Sequence, residues 1–146
     1  MKFFQVGSVF CIGAFLVAGM CCFNSVSHAA DIDLWLDMFD RELEPGDSFT
    51  LEIVTMNTGE ALPEAAVCLL LEISGQFWCW PSWQTLETGF DYQILPIPEG
   101  RTKKWVFNSA WPDVPSAGIE LYFWSAALDV NLTELLTPVY RLSWTY

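Results

Sequence analysis

Histidine and basic residues are what this sequence has least of. The chain of 146 residues holds one histidine, and it has six lysines and arginines against 18 aspartates and glutamates. This balance argues against nucleic acid as a partner, because phosphate binding needs clustered positive charge. The one histidine, His28, lies in an N-terminal segment that we expect to be removed. The mature chain then has no Ser-His or Cys-His nucleophile pair and no imidazole metal ligand.

That N-terminal segment, residues 1–29, has the three parts of a secretory signal peptide. Met1-Lys2 supplies a small positive region, residues 6–22 are almost wholly apolar, and Ser27-His28-Ala29 offers small residues at the two positions that signal peptidase reads. We therefore expect cleavage after residue 29 and a secreted, periplasmic or cell-surface location. A retained membrane anchor stays open as an alternative, because the apolar run is about as long as a short spanning helix.

Removal of the signal also changes the charge and the cysteine content. Five basic residues remain against 18 acids, which gives a net charge of −13, and the 117 residues left are enough for one domain with one core. Only Cys68 and Cys79 stay in this domain, residues 30–146. Acylation at Cys21 or Cys22 would be a second way to keep the N-terminus, but neither follows the small residue that a lipoprotein signal requires.

No catalytic constellation is visible in the mature chain. Ser74 and Ser82 lie beside glycine or proline and have no histidine to activate them. Carboxylates are plentiful, but nothing singles out two of them for glycoside hydrolysis. The acids of residues 31–47 are the type of group that binds calcium, yet their spacing fits no calcium loop and a solvated strand face explains them equally well. We therefore predict a protein that is not an enzyme and has no cofactor and no metal.

Alternation of apolar and polar residues predicts short strands along the mature chain. Residues 32–38 place aliphatic side chains on even positions and acids on odd ones, which is typical of a half-buried strand. Residues 48–57 repeat the alternation. In all, the mature chain has eight candidate strands with turn signals between them. No helix longer than a turn or two is patterned. Evenly spaced short strands predict an all-β protein, an antiparallel sandwich or a small barrel.

One stretch is similar to a known family. The turn Pro45-Gly46-Asp47, a strand alternating Phe, Leu and Ile, the turn Asn57-Thr58-Gly59 and a proline-containing loop into an aliphatic strand resemble the immunoglobulin-like modules of bacterial surface proteins, of the adhesion-associated, CARDB-like type. The resemblance covers about residues 43–73. It implies a single antiparallel immunoglobulin-like β-sandwich of about seven to eight strands, used as a spacer or adhesive module.

The densest apolar block of the mature chain is Phe77-Trp78-Cys79-Trp80-Pro81-Ser82-Trp83. It follows an aliphatic run and the turn Ser74-Gly75, so it predicts the second arm of a β-hairpin. A two-residue turn places Cys79 opposite Leu70, which makes Cys68 its diagonal neighbour. Because export favours oxidation, we predict a Cys68–Cys79 disulfide, although the diagonal spacing needs a bulge or a changed turn to reach ordinary disulfide geometry.

The two faces of this hairpin differ in charge. The uncharged face, which we place in the core, carries Trp78, Trp80, Leu69 and Leu71. The other face is rimmed by Glu72, and we predict that it is an exposed contact surface. It carries Phe77, Cys79, Cys68 and Leu70. The candidate contact residues are Phe77, Leu70 and, just past Pro81, Trp83.

These observations predict an exported, non-enzymatic module for adhesion, assembly or scaffolding through protein contacts or self-association. A small carbohydrate-binding module is the alternative, because the chain has eight tryptophans and flat aromatic rings hold sugars. A small outer-membrane barrel is the third, since Tyr140, Leu142, Trp144 and Tyr146 alternate up to the C-terminus. Membrane strands need ~9–11 residues, however, and the strands expected here are shorter and contain charges, so we expect no stable membrane insertion after signal cleavage.

Overall fold

The computed structural model describes residues 31–39, 44, 46–110 and 119–145, with residues 144 and 145 described by their backbone alone. The predicted signal peptide, its cleavage site and the last aromatic residue lie outside this range. None of the described residues forms a helix long and apolar enough to cross a membrane.

Nine strands within the described residues form two antiparallel sheets. They are β1 Ile32–Met38, β2 Ser48–Asn57, β3 Leu62–Ile73, β4 Gln76–Cys79, β5 Gln84–Thr85, β6 Gln93–Ile97, β7 Gly100–Ala110, β8 Glu120–Leu128 and β9 Tyr140–Thr145. Sheet A has the order β1-β2-β7. Sheet B has the order β5-β4-β3-β8-β9, and β6 pairs with the first half of β3.

This order is the one expected of an immunoglobulin-like sandwich. In the letter nomenclature of that fold, strands A, B and E form sheet A, and strands C′, C, F and G form most of sheet B. The predicted antiparallel immunoglobulin-like β-sandwich is therefore confirmed. The strand that the alternation pattern missed is β5, whose two residues are too few to show any period.

The main core lies between the two sheets. The even positions of β1 enter it, as the alternation predicted, and they meet odd positions of β3 and β8 from the other side. Its buried members include Leu34, Leu36, Phe49, Leu51, Ile53, Val67, Leu69, Leu121 and Phe123. Trp80 belongs to this core and is 5% exposed. Leu71 and Trp78 are only half-buried, because the three strands of sheet A cannot cover the six strands of sheet B.

A second core covers the outer face of sheet B, and it corrects the predicted contact surface. Leu70 is 1% exposed, and Phe77 is half-buried against the same cluster. Residues 86–92, between β5 and β6, and residues 129–139, between β8 and β9, fold over this face. The second core contains Ala66, Cys68, Leu70, Cys79, Ala126 and Leu128, with Leu86, Phe90, Tyr92, Leu132, Leu135 and Val139 packed against it. The connections are long and apolar enough to bury what strand alternation alone leaves outside.

Hydrogen bonds fix both covering segments to the sheet. The Leu86 backbone N–H donates to the Phe77 carbonyl of β4 at 2.9 Å, which holds the first segment to sheet B. The carboxylate of Asp91 accepts a further bond from the Ser82 backbone N–H at 3.1 Å, which ties the end of this segment to the loop after β4. The hydroxyl oxygen of Thr137, a fully buried side chain, accepts a bond from the Ala127 N–H at 2.9 Å and so holds the second segment against β8. Trp83 is also half-buried rather than exposed, because its ring packs edge-on against Phe107 at 6.3 Å.

Candidate interaction surface

The two cysteines of the domain sit side by side in the second core as free thiols. The predicted register is confirmed, since Leu70 pairs with Cys79. That register leaves Cys68 on the diagonal, where Cβ atoms are about 7–8 Å apart, whereas a disulfide needs about 3.5–4.5 Å. The predicted disulfide is therefore absent from the structure: the hairpin contains no bulge that would bring the sulfurs together.

Burial disfavours the reactive thiolate form of both cysteines. Desolvation raises the pKa of Cys68 to about 12, and burial is also the largest cause of the raised pKa of Cys79. We expect the native protein to show no thiol that reacts with Ellman's reagent at pH 8, because the thiolate is the reactive form. The same protein unfolded in guanidinium without a reductant should show both. If the unfolded protein showed no reactive thiol, the two cysteines would be joined in a disulfide after all.

The exposed aromatic residues lie on a different surface, the outer face of sheet A. Partner residues of neighbouring strands point to the same side, so the register arranges this face in rows that run from β1 across β2 to β7. The three rows are Asp33, Met56 and Arg101; Trp35, Val54 and Lys103; and Asp37, Glu52 and Trp105. We call these nine residues, with Phe39 after β1, the sheet A face. Its β1 side carries acids and its β7 side carries bases.

A bulge in β7 places Trp105 on this face. Glu52 pairs with Trp105, but the preceding Leu51 pairs with Phe107, so Val106 is an extra residue in β7. Positions two apart in a regular strand share a face. Because of the bulge, Phe107 instead points into the core, 5.2 Å from the ring of Phe49, while Trp105 points outward and is 65% exposed.

Hydrogen bonds to Glu52 hold the exposed indole in one orientation. The Trp105 Nε1–H donates to Glu52 Oε1 at 2.7 Å, and Lys103 Nζ donates to the other carboxylate oxygen at 2.7 Å. Glu52 itself is only 6% exposed. Both oxygens of this buried carboxylate therefore have hydrogen-bond partners, and the bond to Nε1 orients the Trp105 ring while leaving it exposed to solvent.

Lys103 connects the remaining groups of the face. Its Nζ lies 3.2 Å from Asp37 Oδ2 and 5.6 Å from the ring centroid of Phe39, which is 71% exposed. The hydrogen bond to Glu52, and after it the bond to Asp37, raises the pKa of Lys103, so this lysine stays charged throughout the neutral range. One ammonium group thus links two carboxylates and an aromatic ring.

The far end of the face carries a second aromatic–cation pair and two exposed charges. The guanidinium carbon of Arg101 lies 5.6 Å from the Trp35 ring centroid, a distance at which the cation is attracted by the ring. Asp33 and Arg101 occupy opposite ends of one row. Within the described part of the chain, neither makes an ion pair.

A second aromatic cluster, on the outer face of sheet B, is already closed by the chain itself. The guanidinium of Arg141 lies 5.1 Å from the ring of Tyr122 and 5.2 Å from that of Trp124. The Trp124 indole N–H donates to Glu72 at 2.8 Å, so the acid predicted to rim a contact surface has an internal partner. All three aromatic and acidic side chains are half-buried. Their ring faces are less available than those of Trp105 and Phe39.

Sequence reasoning missed the sheet A face, although one signal pointed to it. Trp35 stands at an odd position of β1, on the side of the acids rather than of the aliphatic residues. A large aromatic on a strand's polar side indicates a surface role. Of the acidic cluster of residues 31–47, Asp33 and Asp37 lie on this face. No group of three potential metal-binding side chains converges in the residues described.

Fold and surface together define an immunoglobulin-like sandwich with one aromatic and charged sheet face. No protein-family model matches the chain, and no curated protein is similar to it in sequence.

Proposed function

We propose that the protein is an exported, non-enzymatic module that works in adhesion, assembly or scaffolding through protein contacts made by the sheet A face. The observation that carries the proposal is the exposure of two large aromatic side chains, Trp105 at 65% and Phe39 at 71%, on one sheet face. A large apolar group left in water on an otherwise well-packed domain is typical of an interaction site.

The composition of the face supports protein as the ligand. Tryptophan and arginine are enriched at the energetic centres of protein interfaces, where they combine apolar area with directed polar contacts. The face offers Trp35, Trp105 and Arg101 in this role. Its indole at Trp105 is already fixed by Glu52, so little side-chain entropy is lost when a partner covers it.

Carbohydrate binding is the second candidate, and Trp105 is also the residue that favours it. A sugar ring stacks on a flat exposed indole, and carboxylates beside it accept bonds from the hydroxyls. On this face, however, the nearest carboxylates, Glu52 and Asp37, already accept bonds from Lys103. The bonds that a sugar needs would compete with this ion pair, whereas a protein partner can cover the pair intact.

Site-specific photo-cross-linking tests the proposal. We expect a benzophenone amino acid that replaces Trp105 to give discrete protein adducts in cells that produce and export the protein. The matched control is the same amino acid in place of Ile94, a 45% exposed residue of β6 on the other sheet, which should give none. Intact mass of the exported chain should also show that it begins at Ala30, as the export part of the proposal requires.

The contrary result is equally specific. If the Trp105 position gives no protein adduct, and a polysaccharide produces a saturable change in tryptophan fluorescence that Trp105→Ala abolishes, the module binds carbohydrate. An acylated or uncleaved N-terminus in the mass spectrum would instead show a membrane-attached protein.

A further inference from the structure

The charges of the sheet A face are distributed so that the face complements itself. Acids lie on β1, at Asp33 and Asp37, and bases lie on β7, at Arg101 and Lys103. Three of the five basic residues of the mature chain lie within Arg101–Lys104. A partner for this face must therefore offer acids opposite β7 and bases opposite β1, although the whole domain is acidic.

We infer that the partner is a second copy of this chain, bound face to face through the sheet A face about a two-fold axis parallel to the strands. The inference rests on the proposed function and names the partner. An axis in this direction lays β1 of one copy over β7 of the other, and it preserves the position along the strands. The alternative axis, across the strands, would lay acid over acid.

The strand register determines which residues of the two copies would meet. Asp33 and Arg101 share a row, so Asp33 of each copy lies over Arg101 of the other, and the two charges that have no ion pair within the described residues are matched twice. Lys103 shares its row with Trp35, so a cation faces an aromatic ring in the same way.

The two exposed aromatics are matched by the same operation. Phe39 follows β1, and Trp105 lies on β7 in the row of Asp37, two residues before Phe39. Two residues of strand measure about 7 Å, which large rings can span. Phe39 of one copy therefore reaches Trp105 of the other.

The middle of the interface is apolar or internally neutralised. The central strand β2 lies on the axis, and of its three residues only Met56 is partly open to its counterpart, since Val54 is 0% and Glu52 6% exposed. The two Glu52 carboxylates lie on either side of the axis, but each already accepts bonds from Lys103 and Trp105. The like charges are thus compensated before the copies meet.

The face is small, so the dimer is weak. Three strands about 4.8 Å apart and about seven residues long give a patch roughly 14 Å by 23 Å. Interfaces of this size fall at the low end of specific contacts, below about 1,200 Å² in total, and are typical of transient association. Dissociation constants in the micromolar range or weaker are expected.

Sedimentation equilibrium of the mature protein with reciprocal charge reversals tests the inference. Samples from about 1 μM to about 500 μM bracket a weak interface, and about 150 mM salt limits the repulsion of the net charges to a Debye length of about 8 Å. Asp33→Arg or Arg101→Asp alone should raise the dimer dissociation constant by at least about tenfold, because like charges then face each other twice. The double variant should return to within about threefold of the unmodified protein.

Glu87→Arg is the matched control for Asp33→Arg, because it makes the same charge change on an exposed loop that covers the other sheet. It should leave the dissociation constant unchanged, and thermal melts of all variants should coincide. A protein that stays monomeric throughout the range overturns the inference. So do single reversals with no effect, or a folded double variant that fails to recover. If cross-links from position 105 to a different protein persist in those cases, the proposed function stands without the second copy.

Discussion

Trp80→Ala is expected to lower the free energy of unfolding by about 3–5 kcal/mol, the range typical of removing a large buried aromatic from a core. Trp80 is 5% exposed between the sheets, and the ammonium of Lys104 lies 5.9 Å from its ring centroid. The truncation leaves a cavity that rigid strands cannot collapse into. Chemical denaturation followed by circular dichroism measures the loss, since the change also removes a fluorophore.

Trp78→Ala is the matched comparison, because it removes the same side chain two residues earlier on the same strand arm. Trp78 is only half-buried, where sheet A no longer covers sheet B. Its truncation should cost less than half as much. Equal losses would mean that the overhanging part of β4 is covered in solution.

Leu70→Ala is expected to destabilise the domain by about 2–5 kcal/mol. Leu70 is 1% exposed on the outer face of sheet B, where the second core packs over it. A contact residue on an open surface would instead change stability by no more than about 0.5 kcal/mol. The measurement therefore decides whether the connecting segments cover this face in solution.

Ile94→Ala provides the control for a surface position in the same sheet. Ile94 lies in β6, pairs with Ala66 of β3 and is 45% exposed. Its truncation should change the free energy of unfolding by no more than about 0.5 kcal/mol, as for other surface positions. If Leu70→Ala lowers the free energy of unfolding no more than Ile94→Ala does, the second core does not cover Leu70 in solution. The face that carries Leu70 would then again be a candidate contact surface.

The fold followed from the sequence where alternation was strict. The even aliphatic positions of β1, the turn at Ser74-Gly75 and the pairing of Leu70 with Cys79 are all local properties, and each is confirmed. Strand order between the sheets is not local. It entered through the resemblance to immunoglobulin-like modules, and the structure confirms the architecture without testing the family.

The surface was harder to predict because it depends on what covers each face. The alternation correctly separated Trp80 from Leu70, but it could not show that residues 86–92 and 129–139 fold over Leu70 and bury it. The sheet A face could not be predicted from the sequence for a second reason. Its pairs, such as Glu52 with Trp105, join residues that are 53 positions apart in the chain, and only the register of three strands brings them together.

The extra residue at Val106 means that chain length, rather than side-chain choice, sets what β7 shows to solvent. Phe107 is fixed by the core beside Phe49, so the strand is anchored from the inside. Trp105 is fixed from the outside by Glu52. The one extra residue between them, Val106, is the reason that Trp105 points to the outer face and Phe107 to the core. The core and the sheet A face can therefore vary in sequence independently, as long as the number of residues between Trp105 and Phe107 is kept.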